Sequence, residues 1–338
     1  MNGAFRPPWW CRSAHLQTIW GPLFRRGRLA ARRERVATRD GDFVDLDWAE
    51  GGAPGAPLLL VLHGLEGSSQ SHYAVGLMHG AAGRGWRAAT LNFRSCSGEL
   101  NRRDQFYHSG HTEDLDDVVR LLLGREPGLA LGVVGVSLGG NVLVKWLGER
   151  ADGAPAAVFG AVAISTPFRL TPCAESLDEG FNRAVYTANF LKSMRAKVRD
   201  KARRSPGFAV RVDVPRALRA RTFREYDRAV TAPLNGFADE RDYWTRASSA
   251  PYLARVRRPT LLIHALDDPM VPAASLPDPA ALPPAVHAEF VPRGGHAGFI
   301  DGRWPWRAGS WAERRAVEFL AGVLAGAGGG ARGARAIG

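Results

Sequence analysis

Chemistry in this chain can start from the pentapeptide Gly135-Val136-Ser137-Leu138-Gly139. A serine on a sharp strand-to-helix turn exposes its Oγ at the top of a sheet, ready for nucleophilic attack. The bare G-x-S-x-G pattern is weak in a chain with 39 glycines, so its flanks must carry the argument. Leu131–Val134 reads as a buried strand leading in, and Gly140–Trp146 as a helix leading out. The start of that helix also favours negative charge on a developing oxyanion.

A serine hydroxyl is a weak nucleophile without a base, and on this turn the partners should follow in the order Ser, acid, His. Of nine histidines, His296 is the best placed. It follows the last predicted strand within Arg293-Gly294-Gly295-His296-Ala297-Gly298, where flanking glycines suit a mobile loop. His15, His63, His72, His79, His108 and His111 precede the serine, His264 lies inside a strand and His287 begins one. The acid should close the strand before the histidine strand, where Asp267 and Asp268 both stand. Asp268, directly before Pro269, is preferred for orienting the imidazole; Asp267 is the alternative, otherwise a loop hydrogen-bonder. Two backbone N–H groups should bind the oxyanion, those of Leu138 and of Leu65 in His63-Gly64-Leu65-Glu66-Gly67, with His63 bracing that loop.

These groups need a scaffold. The runs Arg35–Thr38 and Phe43–Trp48 flank Asp40-Gly41 as a hairpin. Pro57–Leu62, Arg87–Phe93, Leu131–Val136, Ala156–Ile164, Thr260–Ala265 and Val286–Val291 read as strands. Tyr73–Ala82, Thr112–Leu123, Leu138–Gly148 and Ser310–Leu324 read as helices. The alternation predicts an α/β fold with a mostly parallel sheet over residues 33–165 and 251–324. Residues 166–250 lack buried strands and are expected to form a helical cap on the strand ends. Residues 1–32 are expected to be an arm, and 325–338 a disordered tail.

Composition bounds the rest. Hydrophobic residues at 45% and charged residues at 23% exclude wholesale disorder across the 338 residues. No apolar run reaches a membrane-span length and no secretory signal is legible, so a cytoplasmic protein is expected. Three cysteines, Cys11, Cys96 and Cys173, fit reduced thiols better than disulfides or a metal site. The net charge of +12 is concentrated in residues 1–40 and 191–211. It reads as solvated surface with possible peripheral contact with anionic lipid, from Trp9, Trp10 and Trp20 beside Arg12, Arg25 and Arg26. Packing of those aromatics on the body is the preferred reading. No nucleic-acid recognition motif is present, so no nucleic-acid partner is expected. Phe181, Tyr186, Phe190 and Leu191 are candidates for an acyl pocket or for the cap's own core.

Several segments together resemble the α/β-hydrolase superfamily, and within it the bacterial YheT-type hydrolases related to the eukaryotic ABHD proteins. The resemblance covers residues 5–322. It rests on Phe5–Trp10 with His15-Leu16-Gln17-Thr18, His63–Gly67, Asn92–Glu99, Tyr107–Asp114, the serine turn, Ala265–Pro269 and Gly294–His296. Ser95 stands where the family pattern leads one to expect glycine. The resemblance implies a Ser-Asp-His hydrolase of carboxylic esters, with short-chain esters or acylglycerols as substrates and no cofactor or metal. A thioesterase, amidase or acyltransferase with the same triad is the alternative, as is a non-catalytic binding module. Oligomeric state is left open.

Overall fold

The computed structural model describes residues 5–25 and 27–333. Eight strands form one sheet in the order β1-β2-β4-β3-β5-β6-β7-β8. They are β1 (Ala31–Ala37), β2 (Phe43–Ala49), β3 (Leu58–Leu62), β4 (Arg87–Asn92), β5 (Leu131–Val136), β6 (Val158–Ile164), β7 (Thr260–Ala265) and β8 (Val286–Val291). The β1–β2 and β2–β4 pairs are antiparallel and the rest parallel, as the strand-helix alternation predicts. Interior strands β3, β5 and β7 are buried along their whole length, which explains their continuous apolar runs. Two hydrophobic clusters cover the sheet, one on each face.

The chain leaves β3 for β4 on one side, then returns to β5 on the other side of β3. That reversal opens a crevice beyond the carboxyl ends of β3 and β5, where open α/β sheets place ligands. Leu62 pairs with Gly135 there, so the His63–Gly67 loop and Ser137 emerge side by side. Helices α1 (Ala14–Phe24), α2 (His72–Ala82), α3 (Glu113–Arg125) and α4 (Leu138–Arg150) pack around this frame.

Between β6 and β7 the chain builds short helices, the longest being Ala188–Arg204. They share a hydrophobic cluster of their own, including Leu191, Val198, Phe208 and Trp244. Asn141 of α4 ties this insertion down. Its Nδ2 donates to the carbonyls of Ser109 and Ala247, and its Oδ1 accepts from the Ser249 N–H. The basic helix is not simply solvated: Lys201 Nζ donates to the Asn101 carbonyl at 2.6 Å, and Lys197 Nζ to Glu66 Oε1 at 2.7 Å.

The ends of the chain differ from expectation. The arm contains α1, and the first strand starts at Ala31. The final helix runs from Trp311 to Gly333, so the tail expected to be disordered from Ala325 is helical to that point. Alanines at 325 and 327 extend an already nucleated helix, which needs no further nucleation. Residues 334–338, like Arg26, lie outside the described residues.

Candidate active site

Ser137 sits between β5 and α4 with φ +54° and ψ −120°. A non-glycine residue holds such dihedrals only when its surroundings impose them. The flanking glycines are imposed by space. A Cβ on Gly135 would lie 2.4 Å from the Gly139 carbonyl oxygen, and one on Gly139 2.4 Å from the Leu62 carbonyl oxygen. The turn therefore closes only with glycine at both positions, and it presents Oγ to the crevice.

His296 reaches that Oγ. Its Nε2 lies 2.9 Å from Ser137 Oγ, and its Nδ1 lies 2.8 Å from Asp268 Oδ2. Asp268 Oδ1 accepts from the N–H groups of Met270 and Val271 at 2.8 and 3.0 Å. Burial alone would push the Asp268 carboxyl up; the His296 ring and these amides hold it below the usual carboxylate value. The neighbouring Asp267 has a different task. Its Oδ1 accepts from the N–H groups of Gly294 and Gly295, pinning the loop that carries His296.

That loop is held at more points than its glycines suggested. Thr18 Oγ1 of α1 accepts from the His296 N–H at 2.9 Å, and Ser165 Oγ from the Ala297 N–H at 2.9 Å. The glycines serve close approach rather than mobility: a Cβ on Gly298 would lie 2.3 Å from the Gln17 carbonyl oxygen. Thr18, Ser165 and Asn141 carry no local signal in sequence, because the partners that give them these roles lie 32 to 278 residues away along the chain.

Gly64 approaches Ser137 so closely that a Cβ on it would meet the Ser137 Cβ at 3.2 Å. Along this loop the Gly64 N–H donates to the Tyr73 hydroxyl at 2.8 Å, and the Glu66 N–H to the Tyr107 hydroxyl at 2.7 Å. Leu65 between them has no partner for its N–H among the described residues. The Leu138 N–H opens α4 and has no carbonyl within the helix to bond. These two free donors flank Ser137, the two sequence-predicted for an oxyanion. His63 braces the loop as expected: Nε2 accepts from the Phe93 N–H, and the ring lies 2.7 Å from the Gly64 carbonyl. Burial pushes its pKa down to about 4, which keeps it neutral.

Two chambers meet at the serine, sharing Leu65, Ser137, Phe190, Met270 and His296. The larger, about 850 Å3, opens between α1 and the Glu66–Tyr73 segment. The smaller, about 120 Å3, runs under the insertion between Leu170, Cys173, Leu177, Met194 and Phe223. Of the four aromatic and aliphatic candidates, only Phe190 lines these chambers. Leu191 is in the insertion's core, Phe181 is half exposed, and Tyr186 bonds His15 at 2.8 Å. The three cysteines are free thiols. Among the described residues no group of three His, Cys, Asp or Glu could hold a metal ion, and no helix is long and apolar enough to cross a membrane.

A family model for the α/β hydrolase fold matches residues 57–303. The chain is 41% identical over 312 residues to YheT of Escherichia coli K12, whose esterase designation is itself provisional; the match covers 91% of this chain and 90% of that one. It is 29% identical over 325 residues to the human phospholipase ABHD3, covering 94% and 78%. It is 28% identical over 254 residues to a monoacylglycerol lipase of Saccharomyces cerevisiae, covering 73% and 56%. Among solved structures, an esterase of Pyrococcus furiosus shares the fold with a TM-score of 0.56 at 16% identity, covering 94% and 98%. The chain belongs to the α/β-hydrolase fold family, and within it to the YheT-like, ABHD-related hydrolases.

Proposed function

We propose that this α/β hydrolase is a serine esterase that cleaves carboxylic esters through an acyl-enzyme on Ser137. The observation that carries the reading is the relay at 2.9 and 2.8 Å from Ser137 through His296 to Asp268, facing two free backbone donors. Ser137 Oγ attacks the ester carbonyl while His296 Nε2 takes its proton. Asp268 fixes the tautomer with the proton on Nδ1 and stabilises the imidazolium. The N–H groups of Leu65 and Leu138, with the α4 N-terminus, bind the oxyanion. His296 protonates the leaving alcohol, then activates water to release the acid.

The chambers suggest how a substrate divides. The small apolar chamber suits the acyl group, and the wide open one the alcohol part. The relatives named for phospholipase and monoacylglycerol lipase activity make short-chain or monoacylglycerol-type esters the first substrates to try. The test is hydrolysis of p-nitrophenyl esters from acetate upward, beside Ser137→Ala. The expected result is activity that favours short to medium chains and falls by several orders of magnitude in the variant. Equal rates in both proteins would contradict it.

A further inference from the structure

The large apolar side chains left exposed are not scattered. Most gather on one flank, formed by the N-terminal arm, the end of α1 and the loop between Asp301 and Gly309. Trp306 is 76% exposed, Trp9 63% and Phe24 59%, values that packing does not require. The rings form connected sets. Trp304 stacks on Trp306 at 5.4 Å and meets Trp9 edge-on at 6.3 Å. Trp10 packs on Trp20 at 4.6 Å, and Trp20 on Phe24 at 4.4 Å. Trp10 already anchors the arm by donating from Nε1 to the Gly302 carbonyl at 3.1 Å. The exposed rings are therefore surplus to holding the arm in place.

The same flank is basic. No Asp or Glu occurs before Glu34. Arg6, Arg12, Arg28, Arg303 and Arg307 are exposed, and none has an acidic partner among the described residues. Asp301, the acid on the adjoining loop, is engaged by Arg314. Arg25 is turned inward to Glu313. The flank also borders the larger chamber, which α1 lines through Thr18 and Pro22, followed by Arg25 just past its end, and whose rim carries Arg28.

Exposed tryptophans among arginines that lack an acidic partner, Arg303 resting over the Trp304 ring at 5.6 Å, fit the headgroup layer of a membrane, where the ring is half solvated and the cation meets phosphate. A second copy of the chain fits poorly, because a self-complementary contact would set arginines against arginines. We infer that this aromatic–arginine flank docks the protein on an anionic phospholipid bilayer, with the larger chamber opening at headgroup level. The inference does not depend on Ser137 being the nucleophile.

The test uses the full chain with vesicles of phosphatidylcholine alone and of phosphatidylcholine mixed with phosphatidylglycerol. The expected result is co-sedimentation with the mixed vesicles, a blue shift of tryptophan emission, and release at high salt. Trp9→Ala with Trp306→Ala, and separately Arg303→Gln with Arg307→Gln, should each weaken partitioning about tenfold or more. Melting temperature and hydrolysis of a soluble short-chain ester should stay unchanged. Three results would each overturn the inference. They are no binding to the mixed vesicles, equal binding by the variants, and a solution dimer that Trp306→Ala dissociates.

Discussion

At the carboxyl edge of the sheet, the serine, histidine and acid that meet are held through the backbone, by a strained turn and by hydrogen bonds to backbone N–H groups. In the helical insertion above it, the walls are held by side chains packed on one another. Ser137 is fixed by its strained turn, and Asp268 by the amides of Met270 and Val271. The His296 loop is fixed by Asp267, Thr18 and Ser165. The insertion relies on its own cluster, on π-helical turns at Arg183–Thr187 and Asp227–Thr231, and on ties such as Lys197 to Glu66. Geometry needed to within a fraction of an ångström sits where the sheet can impose it. The small chamber sits under the insertion, where substitutions can repack its walls. Changes at the sheet edge should therefore act on kcat, and changes in the insertion on substrate preference or stability.

The largest effect should come from the two adjacent acids. Asp268→Asn should lower kcat about 10^4-fold by inverting the imidazole tautomer. Asp267→Asn, whose amide oxygen can still accept from both glycine N–H groups, should cost less than about tenfold. Steady-state kinetics on one ester decide this, and the reverse order would move the triad acid to Asp267. Tyr107→Phe comes next. It removes the hydroxyl that accepts from the Glu66 N–H beside the Leu65 donor. A fall of about tenfold in kcat with KM nearly unchanged is expected, smaller than direct loss of an oxyanion donor. A change in KM alone would detach Tyr107 from the oxyanion loop's function. In the insertion, Leu177→Trp should fill the small chamber. Rates on acetyl esters should hold within about twofold while kcat/KM on octanoyl esters falls about tenfold. An equal loss on both would place the acyl group elsewhere.

The smallest effect concerns stability. Asp227 accepts from Thr231 Oγ1 at 2.7 Å and from Trp244 Nε1 at 2.8 Å inside the insertion. Burial, opposed by those two hydrogen bonds, pushes its carboxyl up to about 7 from 3.8. The folded state then binds a proton that the unfolded chain has released. Stability should fall as pH rises from about 4 to 7, and level off above. Asp227→Asn, which can bond both neighbours uncharged, should remove about 2–3 kcal/mol of the fall between pH 5 and 8, measured by urea unfolding. A slope unchanged in the variant would show that other groups set it.

The same contrast explains what sequence could reveal. Ser137, His296 and Asp268 are legible because each stands at the end of an apolar strand, and the order of strands sets which ends meet. Leu65 is legible through its neighbours His63 and Gly64. Helix α1 is not: Pro22 interrupts its pattern and no acid marks its start. Thr18 acquires a role only once the 294–298 loop lies across it. The division of the insertion into short helices is also obscure, since its apolar residues answer to one another across 80 residues and not to a local period. The body of the final helix is legible, but its last turns from Ala325 pass for a tail because glycine and alanine leave no amphipathic signature.

Covalent trapping tests the central claim most directly. The chain would be incubated with a fluorophosphonate and the modified peptide located by mass spectrometry. The account predicts one label per chain, on Ser137, with labelling slowed strongly by His296→Ala and absent in Ser137→Ala. A label on another serine, or none on a folded chain, would contradict it.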